Sequence, residues 1–130
     1  MKFTLVILGA PYSDSASQTA LAFAQAALAN GHNIYRLFFY ADGIHNATRL
    51  AAPPQDEHDL PASWQQLIEQ HQLDAVVCIA AALRRGLLDA TEAERYQKGS
   101  DNIAQGFELS GLGQLIEASA ASDRVLTFGP

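Results

Sequence analysis

One cysteine, Cys78, lies in the segment Val76–Gly86, VVCIAAALRRG. A lone thiol forms no internal disulfide and cannot build a cysteine-rich metal site. Two readings are open for it. It is a small buried apolar residue, or a thiolate nucleophile that carries a group between molecules. The residues before Cys78 read as a buried strand and those after it as an Ala-rich helical turn. Free N–H groups at a helix start favour an anion, so a thiol placed there leans toward the thiolate. Arg84 and Arg85 add positive potential if either side chain turns back toward that end. Position alone leaves both readings standing.

Other chemistry-bearing residues are less specific. His45 and His58 lie in an irregular segment, and their spacing specifies no contact with Cys78. His32 follows a helix stop and His71 sits near a helix C-terminus, where an imidazole suits the helix dipole. No C-x-x-C, G-x-S-x-G or Walker A loop is present, so dithiol, serine-elbow and P-loop chemistry have no template here. Gly9-Ala10-Pro11-Tyr12 is not a dinucleotide fingerprint. Gly111-Leu112-Gly113 reads as a turn allowing close backbone packing rather than as an anion site. Asp14, Glu57 and Glu108 show no paired arrangement and read as solvated. Neither a metal nor a cofactor is expected.

The elements that must position Cys78 alternate between strand and helix. Phe3–Leu8 is an apolar run suited to a strand covered on both faces. A helix follows, with Ser15 and Gln18 at capping-box spacing and Gly31 as its stop. Its apolar stripe is Ala20, Phe23, Ala24, Ala27 and Leu28. The second strand is Ile34–Tyr40. Gly43–Asp59 has no clear periodicity, and by its place on the strand-end face it is the candidate for shaping access to the cysteine. A helix over Leu60–His71 is capped by Asp59, with Pro61 in its first turn. Ala75–Ile79 is the cysteine strand. A helical turn to Gly86, a helix Thr91–Lys98 capped by Asp89, a strand Phe107–Leu109 and a strand Val125–Phe128 complete the pattern. The last helix runs from Ser110 to about Ser122, burying Leu112, Leu115 and Ile116. This alternation specifies one domain, residues 1–130, as a three-layer α/β/α sandwich around a mostly parallel sheet of about five strands. In such a sheet ligands gather at the carboxyl ends of the strands, where Cys78 lies.

Composition bounds the function. With 130 residues, 48% hydrophobic and 17% charged, the chain is of ordinary globular make-up. Its net charge of −6 argues against a phosphate-tracking nucleic-acid surface. The apolar run at the N-terminus is too short for a signal peptide, and nothing nears the roughly 18 apolar residues of a membrane span. A cytoplasmic location is the resulting expectation, and there a lone thiol stays reduced unless chemistry uses it.

Three separated segments carry a family resemblance: DAVVCIAAALRRG, FFYADGIHNATRLAAPPQDEHDL and SGLGQLIEASAASDRVLTF. In order and spacing they resemble the DsrE/TusD group of sulfur-relay proteins, across essentially the whole chain and closer to the TusD branch. The resemblance implies a sulfurtransferase subunit whose Cys78 takes sulfane sulfur from a TusA-like donor as a persulfide. It passes that sulfur to a TusE-like acceptor, toward 2-thiouridine at the tRNA wobble position. It also implies a heterohexamer with TusB-like and TusC-like subunits. Two alternatives accompany it: a DsrE-like sulfur-oxidation relay with a DsrC-like acceptor, and a non-catalytic scaffold subunit.

Overall fold

The computed structural model describes all 130 residues. Strand β1 (Lys2–Ile7) is buried from Thr4 onward, as its unbroken apolar run requires. It is followed by α1 (Ala16–Ala29), β2 (Asn33–Phe39) and a 3₁₀ helix (Ala41–Ala47). Then come α2 (Leu60–His71), β3 (Ala75–Cys78), α3 (Ile79–Arg84), α4 (Ala90–Arg95), β4 (Phe107–Ser110), α5 (Gly113–Ala121) and β5 (Arg124–Phe128). The sheet order is β4-β3-β2-β1-β5, and every pairing is parallel.

Parallel neighbours need crossovers, and right-handed crossovers place the helices. From β1 to β4 the chain steps in one direction, which puts α1 to α4 on one face. The step from β4 to β5 returns across the sheet and leaves α5 on the other. Packing agrees with that layout. Phe23 of α1 stands edge-on to Phe3, 5.3 Å between ring centroids, and Trp64 of α2 meets Phe39 at the same distance. Phe39 also meets Phe107, so one aromatic column joins β2, β4 and α2. Burying Phe39, which is fully enclosed, contributes about 1.5–3 kcal/mol.

On the opposite face, α5 is fastened by charge. Arg36 of β2, 8% exposed, donates to Asp74 (2.7 Å), to Glu117 (2.6 Å) and to the Gln114 carbonyl (2.8 Å). The Tyr35 hydroxyl donates to the other oxygen of Glu117. Desolvation works against the Arg36 charge, but the hydrogen bonds to Asp74 and Glu117 hold its pKa above the ordinary value. The Tyr35 hydroxyl, then the Arg36 guanidinium, hold the Glu117 carboxyl below its ordinary value. That same bond to Glu117, followed by desolvation, pushes the Tyr35 phenol up.

Several expectations need correction. β4 extends to Ser110, which pairs with Cys78, so the last helix starts at Gly113. It buries only Ala118. Leu115 is half-buried, and Leu112 and Ile116 are exposed, because α5 has no second helix beside it on that face. Ser15 has helical dihedrals and makes no capping bond. Asp14 accepts from the Ala16 N–H instead, at 2.8 Å. Asp59 and Asp89 do cap, accepting from Ala62 and Glu92. Gly111 and Gly113 have open space where a side chain would stand, so their turn is not a close-packed one. The helix expected over Thr91–Lys98 is α4, Ala90–Arg95, and the left-handed Gln97 and Gly99 follow it.

Candidate functional site

Cys78 is both the last residue of β3 and the N-cap of α3. Its dihedrals, φ −59° and ψ 117°, let the chain turn from extended to helical without a loop. Because the sheet is wholly parallel, Ile7, Phe39, Cys78 and Ser110 end their strands on one side of the molecule. That is the side where α/β sheets keep their chemistry.

The structure closes this end. Cys78 is 3% exposed and belongs to the main core cluster. The 3₁₀ helix Ala41–Ala47 folds back over the strand ends directly after β2. Gly43 makes that approach possible, since a Cβ there would lie 2.0 Å from the Ile7 carbonyl oxygen. Asn46, fully buried, anchors the same segment. Its amide donates to the Gly9 and Gly43 carbonyls at 2.9 Å, and its oxygen accepts from Ser17 at 2.6 Å. Ser17 in turn accepts from the Trp64 indole at 2.9 Å. One chain of bonds thereby ties the 3₁₀ helix to the loop after β1, to α1 and to α2. An ion pair adds a second tie: Arg85 Nε donates to Asp42 at 2.9 Å, and Arg85 also donates to the Ala81 carbonyl.

Of the two arginines after the cysteine, only Arg85 turns back, and its partner is Asp42. Arg84 lines a surface groove. The histidines do not converge on the thiol. His58 is paired with Ser63 at 2.7 Å and His32 with the N-terminal amine at 2.9 Å. His45 is half-buried within the 3₁₀ helix and His71 is exposed at the end of α2. The irregular segment divides in two, with only residues 41–47 helical over the strand ends and the Pro53-Pro54 stretch non-helical. No group of three or more His, Cys, Asp or Glu side chains gathers to hold a metal.

Two organising residues escaped the sequence reading. Asn46 looked like one more polar loop residue, and Arg36 sat unremarked inside an apolar strand. Asn46 carried no usable signal. A charged residue interrupting a both-faces-buried strand was the available cue for Arg36.

Comparison with known proteins places the chain. The DsrE/DsrF-like family model matches residues 1–128. A protein named "Sulfurtransferase TusD homolog" from Pseudomonas aeruginosa is 55% identical over 129 residues, covering 99% of this chain and 98% of that protein. One named "Putative sulfurtransferase DsrE" from Allochromatium vinosum is 52% identical over 129 residues, covering 99% of both. Among solved structures, the ychN protein from E. coli superposes with a TM-score of 0.78 at 23% identity, over 98% of this chain and 99% of that one. A protein of unknown function from Methanobacterium thermoautotrophicum gives 0.70 at 12% identity, over 97% of each. These two show a shared fold. The chain belongs to the DsrE/DsrF-like family.

Proposed function

We propose that this chain is a sulfurtransferase subunit in which Cys78 carries sulfane sulfur as a persulfide. The observation that carries the reading is Cys78 itself. It is the chain's one thiol, at the carboxyl end of an interior parallel strand, in a chain 55% identical to a protein named a sulfurtransferase. The step balances without an oxidant. The Cys78 thiolate attacks the outer sulfur of a donor persulfide, the donor's S–S bond breaks, and the donor leaves as a thiolate. The reverse exchange delivers the same sulfur to an acceptor thiol. Neither half-reaction uses a metal or a cofactor.

In this reading a TusA-like protein loads Cys78 and a TusE-like protein unloads it, toward 2-thiouridine at the tRNA wobble base. The chain works beside TusB-like and TusC-like subunits in a cytoplasmic heterohexamer, as a single domain. No helix is long and apolar enough to cross a membrane. A sulfur-oxidation relay is the second reading, favoured by the 52% identity to the DsrE protein. Tandem assays with a TusE-like and a DsrC-like acceptor separate the two.

Intact-mass measurement after incubation with a persulfide donor tests the chemistry. Wild type is expected to gain roughly 32 Da, one sulfur, and Cys78→Ser to gain nothing. No adduct on wild type after an incubation long enough for a disulfide reagent to modify native Cys78, or an adduct that survives in the variant, rejects the reading. Sulfur relay that persists with Cys78→Ser but fails without the chain supports a scaffold role instead.

A further inference from the structure

A groove of about 780 Å³ lies beside the C-terminal end of α3. Leu50, Leu83, Leu88 and Tyr96 give it an apolar lining, and Arg84 and Lys98 add two cations. Leu50 is 60% exposed and Tyr96 53%, an apolar patch of the kind that marks an interaction surface. Charge narrows the partner. Of the eight Lys and Arg side chains, Arg36, Arg49, Arg85 and Arg95 are ion-paired. Of the four left over, Lys2, Arg84, Lys98 and Arg124, two line this groove. Asp101 also lines it, but its carboxylate is balanced by Arg49 at 3.4 Å. The groove is thus locally cationic in a chain of net charge −6.

Its place relative to Cys78 gives it a role. Cys78 caps the N-terminus of α3, while Leu83 and Arg84 close its other end. A rise of 1.5 Å per residue puts Arg84 about 9 Å along the helix axis from Cys78. We propose that this groove docks a segment of the protein that exchanges sulfur with Cys78, a segment with an apolar side chain flanked by carboxylates. The apolar side chain fills the space between Leu50, Leu83, Leu88 and Tyr96, and the carboxylates meet Arg84 and Lys98. Two cations beside an apolar lining suit such a peptide better than a nucleic-acid backbone, which needs a row of them. The proposal rests on the sulfur-transfer reading for the partner's identity, and the apolar-cationic surface itself does not.

The test uses the full-length ¹⁵N-labelled protein and two short synthetic peptides with one Leu-Tyr core, flanked by Asp and Glu in the first and by Lys in the second. The acidic peptide is expected to shift the amides of Leu83, Arg84, Leu88, Tyr96 and Lys98 saturably. Arg84→Glu combined with Lys98→Glu is expected to weaken it at least about tenfold. Both side chains are exposed, and an unchanged melting temperature verifies that the double variant folds. Equal binding of both peptides, no binding, shifts elsewhere, or undiminished binding to the variant overturns the docking proposal. A parallel mass measurement with glutathione persulfide separates the two ideas. Equal loading of Cys78 in wild type and double variant shows that the variant leaves the chemistry intact. No loading in either, over a time in which a disulfide reagent does modify native Cys78, rejects the sulfur-transfer reading, whatever the peptides do.

Discussion

The burial of Cys78 sets what the thiol does in the isolated chain. At 3% exposure it meets bulk reagent only when the fold opens locally. A disulfide reagent in excess is therefore expected to modify native protein at least about a hundredfold more slowly than protein in guanidinium. Equal rates in the two conditions contradict the burial. Gly43 makes a second residue-scale test. Its missing Cβ is what lets the 3₁₀ helix lie on the Ile7 carbonyl, so Gly43→Ala forces backbone apart. A loss of about 2–4 kcal/mol is expected by denaturant titration, at the upper end for a single overpacking change. A neutral result places the segment elsewhere.

At the scale of elements, the cover over the strand ends has two fastenings of unequal strength. The buried one runs from Trp64 through Ser17 to Asn46 and on to two carbonyls. Asn46→Ala removes the side-chain donor to those two carbonyls and the acceptor for the Ser17 hydroxyl proton, at a cost of about 2–3 kcal/mol. The Arg85–Asp42 pair is different. Asp42 is 67% exposed and Arg85 30%, so solvent limits the pair to about 0.2–1 kcal/mol. Its loss is expected to leave global stability nearly unchanged while easing the separation of α3 from the 3₁₀ helix. Asp42→Asn should therefore speed thiol modification of native protein by up to about fivefold with little change in melting temperature. No change in rate assigns the gating to the Asn46 network alone.

For the molecule as a whole, the attachment of α5 brings in pH. Glu117 is held below the ordinary carboxylate value of 4.5, so between its folded and unfolded pKa the unfolded chain binds the extra proton. Its contribution is present above about pH 4.5 and fades as pH falls through the folded value. Tyr35 is shifted up from 10.0, so its contribution is whole below pH 10 and fades as pH rises beyond. Arg36 stays charged throughout this range. Melting curves of wild type and Glu117→Gln are expected to differ at pH 7, and the gap to narrow as pH falls below 4.5 through the folded value. A gap that does not narrow on acidification removes Glu117 as its cause.

Much of this architecture was legible in the chain. Apolar runs bounded by Gly, Pro and capping Asp marked five strands and their order of helices, because backbone pairing and periodicity are local properties. Cys78 at a strand-to-helix junction was legible for the same reason. The sequence could not say that Asn46 is buried, that Arg85 rather than Arg84 turns back, or that α5 stands alone on its face with Ile116 uncovered. Those depend on which strands become neighbours, and pairing partners tens of residues apart leave no local signature. Tertiary structure alone decided that the thiol is closed off, because its cover comes from a segment over thirty residues upstream, folded back across the sheet.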